Sequence, residues 1–173
     1  MTRRRISVAL VVLVLLGGCS GSAAPAETTA PISLLTNIFD GGGTVDDSVL
    51  MWSSFVCATY TGFTEMPQEG ERLSQLGLES GKRFLEALDD QQFSPEEIDE
   101  TVPMVVLGLL PGPTLDFVLG RIYQAAQTST YERLFQEDDF GLPKPIEEWI
   151  LDDDLKGIIA RNEYQRNNCS LLK

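Results

Sequence analysis

The side chains that could carry out acid–base or nucleophilic chemistry in this chain are carboxylates and thiols. Its 173 residues include 26 Asp and Glu, 13 Lys and Arg, three cysteines and no histidine. Without imidazole the commonest general base and the commonest zinc ligand are missing. Ser–His–Asp and Cys–His nucleophile pairs cannot be built. What remains is paired acids: Asp46-Asp47, Glu96-Glu97 and the run Asp152 to Asp154. Each stands where a helix is expected to begin, and the positive end of the helix dipole accounts for it without catalysis. The Glu137-Asp138-Asp139 and Asp152 runs offer hard oxygens, but their spacing matches no calcium loop. No phosphate loop or dinucleotide fingerprint occurs, and Gly41-Gly42-Gly43 lacks the strand, helix and lysine that a phosphate loop needs. We therefore expect no enzymatic activity, no metal and no cofactor. The remaining candidates are Asp116 and Arg121, set in the otherwise apolar stretch 114–126. At least one should be partly buried, and a buried charge must be paired or hydrogen-bonded. Asp116 paired with Lys82 or Arg83 is the structural expectation. The alternative is that Asp116, Arg121 and Lys82 line a binding pocket.

The N-terminus gives these residues their context. Arg3 to Arg5 precede an apolar run, Ile6 to Leu16 with only Ser7 interrupting, and the run closes in Leu16-Gly17-Gly18-Cys19-Ser20. A basic head, a hydrophobic middle and a small-residue cleavage site form an export signal. The run is about 11 residues, and a membrane-spanning helix needs roughly 17–25. Leu16-Gly17-Gly18-Cys19 resembles the lipobox of bacterial lipoproteins. The resemblance implies removal of residues 1–18 and acylation of Cys19. It places the mature chain in the bacterial cell envelope, and Ser20 after the cysteine implies the outer membrane, facing the periplasm. More than one acyl chain makes such anchoring stable.

The whole chain carries a net charge of −13, and residues 1–18 contain arginines but no acids, so the mature protein is more acidic still. That excludes nucleic acid, which needs a basic stripe. Anionic headgroups would repel the domain, so lipid and not charge must hold it to the membrane. An acidic surface suits a basic protein partner. With Cys19 acylated, Cys57 and Cys169 are left as an even pair in an oxidising compartment, which implies one disulfide. It would close a loop of roughly 110 residues, and the chain-entropy model assigns such a loop about 4–5 kcal/mol.

Residues 19–43 read as a lipidated N-terminus and flexible tether rich in Ser, Ala, Pro and Thr, with 44–173 as one helical domain. A first helix is expected from Thr44, with Val49, Trp52, Val56, Tyr60 and Phe63 facing inward and Pro67 ending it. A second should run from about Glu69 to Leu88. Gly77 and Gly81 lie four apart on or beside its apolar face of Leu73, Leu76, Phe84, Leu85 and Leu88. Glycine in a helix costs about 0.5–1 kcal/mol against alanine, so close approach of a helix or an aromatic ring is expected there, with a ligand cavity as the alternative. Ser94-Pro95-Glu96-Glu97 is a capping box opening a third helix. Val102-Pro103 bends it, and Met104 to Leu110 should be buried on several faces. A further helix opens at Pro113 or Thr114, with Leu115, Val118, Leu119, Ile122 and Tyr123 inward. Ser129 to Glu132 marks a restart or a continuation. An acidic loop, 137–145, leads to a short turn carrying Trp149. Asp152 to Asp154 caps a last helix with Leu155, Ile158, Ile159 and Tyr164 inward. No useful alternation of the strand type appears. The expected fold is all-α, a compact irregular bundle of five or six helices with one disulfide after a flexible N-terminal tether.

Three segments resemble a group of small exported gammaproteobacterial proteins: Gly81-Lys82-Arg83-Phe84-Leu85, Gly112 to Phe117 with Gly120-Arg121-Ile122-Tyr123, and Tyr164 to Leu171. The similarity spans about residues 50 to 172 and implies no activity. A weaker likeness is to helical, disulfide-bonded periplasmic immunity proteins that neutralise type VI secretion amidase effectors. It rests on size, compartment and Cys57 followed by Tyr60-Thr61-Gly62. The functional expectation is a lipid-anchored, non-enzymatic binding module, with an immunity or inhibitor protein against a secreted toxin as its alternative.

Overall fold

A computed structural model describes residues 42–173. The expected signal peptide at 1–18, the expected lipidation site Cys19 and nearly all of the expected tether at 19–43 lie outside the described residues. The described part is all-α. Its helices are α1 (Asp46–Thr61), α2 (Pro67–Asp89), α3 (Pro95–Thr101), α4 (Met104–Leu107), α5 (Leu115–Phe135) and α6 (Asp153–Arg166). Single 3-10 turns follow at Ile146–Glu148 and Cys169–Leu171. The only bridge of strand type among the described residues is an isolated one, Glu137 with Pro143.

The antiparallel pair α1 and α2 is the spine, and the small residues of α2 decide how closely it packs. A Cβ on Gly70 would collide with the Thr61 hydroxyl, and one on Gly77 with the Phe55 ring. One on Gly81 would meet Met51 and Leu119. All three contacts would be closer than 3.0 Å, which real Cβ atoms do not show. The glycines thus admit the fully buried Met51 and Phe55 against the α2 backbone. That burial offsets their helix-propensity cost. The space beside Gly77 and Gly81 is taken by the side chains of Phe55, Met51 and Leu119, the close helix and ring approach expected there.

Two apolar clusters share α1. One gathers Met51, Phe55, Phe84, Leu85, Val106, Val118 and Ile122. The other gathers Cys57, Tyr60, Leu73, Phe135, Ala160 and Tyr164. The inward face of α1 is therefore rotated from the expected one. Met51 and Phe55 are fully buried while Val49 is exposed, because the close approach to α2 selects the stripe that faces the glycines. Pro67 does not end α1, which stops at Thr61. It opens α2 at the first turn, where a missing N–H costs nothing.

Helix starts follow the sequence in most places. Ser94 accepts from Glu97 N–H while the Glu97 carboxylate accepts from Ser94 N–H at 2.8 Å, completing the capping box. Thr114 caps α5 and Asp152 caps α6 through their side-chain oxygens. Thr44 is an exception. Its hydroxyl donates to Asp47 instead of accepting a helix N–H, and α1 begins two residues later. Residues Ser129 to Glu132 continue α5 without a break.

Two stretches expected to be inside lie partly outside. In Met104 to Leu110 only Val106 is fully buried, and Met104 and Val105 are exposed. A helix of four residues turns too little of its surface to the core to cover them all. On α6, Leu155 and Ile158 are exposed, and the buried positions are Ala160 and Tyr164. The Tyr164 hydroxyl bond to Glu69 of α2 and the place of Lys156 over the Phe135 ring mark the side of α6 that faces the bundle.

Candidate functional site

Cys57 and Cys169 form a disulfide across 112 residues, with Cα atoms 5.6 Å apart. One turn along α1, the fully buried Tyr60 points to the same place, since residues three apart share a helix face. Its hydroxyl accepts from Arg133 of α5 and, at 3.4 Å, from Asn167 at the end of α6. Burial pushes the Tyr60 pKa up, and the neighbouring Arg133 charge opposes that shift. Tyr60-Thr61-Gly62 is accordingly a packing junction. Beside it Tyr164 donates to Glu69 at 2.6 Å, and Glu69 pairs with Arg72 at 2.7 Å. Arg72 donates to the Leu172 carbonyl at 2.8 Å, tying the chain end to α2. The Arg72 bond holds the Glu69 carboxyl at about 2, and burial with the Glu69 bond pushes Tyr164 up to about 12.

The expected polar set does not assemble. Asp116 and Lys82 are exposed. Arg121 donates to the Pro111 carbonyl at 2.6 Å and lies over the Phe117 ring. Arg83 pairs at 2.6 Å with Asp47, which is 8 % exposed, and not with Asp116. The reason is register: the glycine-mediated contact of α1 and α2 sets Asp47 opposite Arg83, while Asp116 lies on the outer first turn of α5. The acid pairs act in the same structural way, Asp47 in this ion pair, Glu97 and Asp152 in caps. Among the described residues no group of three or more Cys, Asp or Glu is placed to hold a metal ion.

What the structure does present is a set of exposed apolar side chains along residues 137–158. The acidic loop is fastened by its own hydrogen bonds. Asp138 accepts through one carboxylate oxygen from Phe140 and Leu142 N–H, both at 2.9 Å, while Gly141 takes the left-handed backbone conformation the turn requires. Lys144 N–H donates to the Gln136 carbonyl at 2.7 Å, and Ile150 N–H donates to the Phe135 carbonyl at 3.0 Å. The Trp149 indole donates to the Lys144 carbonyl. The loop therefore holds out its apolar side chains on a defined backbone. Phe140 is 88 % exposed, and Leu142, Ile146 and Leu151 are also exposed. Leu151 is exposed just before the cap of α6, and Leu155 and Ile158, three apart on that helix, are exposed as well. The same stretch is rich in carboxylates: Glu137 to Asp139, Glu147-Glu148 and Asp152 to Asp154. The spacing of Leu155 and Ile158 was legible as periodicity in the sequence, but its direction was not.

Comparison with known proteins gives no match: no family model, no curated protein and no solved structure corresponds to this chain.

Proposed function

We propose that the protein is a lipid-anchored binding module of the bacterial envelope, held through Cys19, that works by docking a protein and not by catalysis. The observation that carries this reading is the row of exposed apolar side chains within 137–158, held out on a hydrogen-bonded loop and on α6, in a stretch rich in carboxylates. Aromatic and aliphatic anchors supply most interface energy, and a charged rim guides the approach of an oppositely charged partner. The partner this chemistry fits is a protein with an apolar recess ringed by Lys and Arg. The tether at 19–43 supports the reading, since a tethered domain searches the volume near the membrane at raised effective concentration. The lipobox-like Leu16-Gly17-Gly18-Cys19 supports the anchor and the outer-membrane, periplasm-facing location.

A more specific form is an immunity or inhibitor protein that blocks a secreted toxin. A pre-formed loop with a projecting aromatic ring favours it, because such a loop enters a cleft with little ordering cost.

The test is capture by the full lipidated chain, the variant Phe140→Asp and the variant Leu155→Asp/Ile158→Asp, with identification of what is retained. The expected result is one basic protein held by the wild type, released by salt and lost with both variants, while helix content is unchanged. Equal retention by all three would sink the docking surface. For the inhibitor form, the captured protein should be toxic when exported alone and harmless when co-expressed.

A further inference from the structure

A different concavity, about 750 Å³, opens between α1, the turn into α2 and the second half of α5. We propose that it is a binding site for an uncharged oligosaccharide. Its chemistry differs from the rest of the molecule: one lining residue in sixteen, Glu132, is charged, in a chain where 23 % of residues are. An ionic ligand would find no counter-charge here beyond that one acid.

The lining is built from α5 in two parallel rows at i, i+4 and i+8: Tyr123, Gln127 and Tyr131, then Gln124, Thr128 and Glu132. Each row runs about 12 Å along the helix, long enough for a chain of linked rings and not for a single small molecule alone. The aromatic rings are half-buried and held by their neighbours. Tyr123 meets the Phe55 ring edge to face at 5.1 Å, and Tyr131 meets Phe135 at 5.1 Å in the same manner. Rings fixed in this way offer apolar surface for the C–H faces of sugar rings.

The polar atoms are arranged to both give and accept. The Gln127 amide donates to the Tyr123 hydroxyl at 2.9 Å, which leaves the carbonyl oxygen of one lining residue and the O–H of the other without a partner among the described residues. The Gln124 amide donates to Thr128 at 3.1 Å, leaving its oxygen in the same condition. Across the groove Thr59 and Thr64 spend their protons on the backbone carbonyls of Phe55 and Thr61 and keep lone pairs for a ligand. A sugar hydroxyl donates and accepts at once, which is what neutral hydroxyl and carboxamide groups match. Glu132 adds one carboxylate, able to take a short bond from a hydroxyl. A peptide fits less well. The described residues offer no free strand edge to pair with an extended backbone, and an amphipathic helix needs an apolar groove.

The experiment is calorimetric titration of the full chain, in a detergent without a sugar headgroup, with four probes. Two are neutral, a linear N-acetylglucosamine tetramer and a linear glucose tetramer. The controls are a galacturonic acid tetramer and an uncharged Ser/Gly/Ala peptide. At least one neutral tetramer is expected to bind with Kd below about 1 mM, and the acidic tetramer and the peptide are not. Tyr131→Ala should weaken that binding at least about tenfold. Because Tyr131 also packs on Phe135, the exposed Gln124→Ala serves as the second variant, and it too should weaken binding with an unchanged unfolding midpoint. Absence of binding by both neutral tetramers, equal or better binding of the acid or the peptide, or indifference to both variants overturns the proposal.

Discussion

Glu69 is the residue through which acidity reaches the fold. Its carboxylate sits between Arg72 and the Tyr164 hydroxyl, and the Arg72 bond holds its pKa at about 2 against an ordinary 4.5. A depressed pKa stabilises the folded state above the unfolded value and loses that contribution as pH falls through the folded one. The attachment of α6 and the chain end to α2 should therefore weaken between about pH 4.5 and 2. Thermal melting across that range should show the loss, and Glu69→Gln should lower stability at pH 7 and flatten the acid dependence. Tyr164, raised to about 12 from 10.0, adds the opposite limb: its contribution is present below pH 10 and lost as pH rises through about 12. Near the same junction, the Cys57–Cys169 bridge spans 112 residues. Reduction, or Cys57→Ser with Cys169→Ser, should cost up to about 4–5 kcal/mol in denaturant unfolding. Mass mapping of the oxidised protein should find these two cysteines linked. The pairing itself was readable from the sequence, because the expected acylation of Cys19 would leave a single possible pair. The Glu69–Tyr164 bond was not, since 95 residues separate its ends.

At the scale of the elements, the contact between α1 and α2 explains most departures from the periodic pattern. An apolar stripe predicts that a helix has an inside, but in α1 apolar and small polar residues are mixed round the helix and give no unique direction. Gly70, Gly77 and Gly81 supply it, by admitting Thr61, Phe55 and Met51 to the α2 backbone. Glycine substitution should therefore have opposite effects at two positions. Gly77→Ala drives a Cβ into the buried Phe55 ring and should destabilise by about 1–3 kcal/mol. Gly120→Ala in α5 meets nothing within 4 Å and should stabilise by about 0.5–1 kcal/mol. Denaturant midpoints of the two variants read the difference directly. The end of the bundle shows the same logic in α6. Its short 14-residue pattern allowed an inward face of Leu155 and Ile158, but the buried positions are Ala160 and Tyr164. Lys156 took an inward position instead, over the Phe135 ring and bonded to Asp153.

For the molecule as a whole, the acidic charge bears on the proposed anchor. A net −13 chain is repelled by anionic headgroups, so membrane attachment must come from lipid on Cys19 if the protein is held there at all. Cys19→Ala should block processing or move the protein from the membrane to the soluble fraction. Unchanged membrane attachment on fractionation would remove the anchor. No helix among the described residues is long and apolar enough to cross a membrane, so in the released variant these helices offer no spanning segment to replace the lipid. The two proposed sites are separate: the exposed apolar side chains of 137–158 are proposed to meet a protein, and the neutral groove on α5 a saccharide. Their tests are independent, since Phe140→Asp and Gln124→Ala alter different faces.

The helical class, the starts of α3, α5 and α6, and the pairing of Cys57 with Cys169 were settled by local chemistry: capping side chains, proline positions and cysteine arithmetic act within a turn or by elimination. Which side of each helix is buried, which acid meets which base, and where a groove opens were decided only in three dimensions. These depend on how closely α1 and α2 approach and where Tyr164 of α6 meets Glu69 of α2, distances set by atoms far apart in the chain that no local pattern encodes.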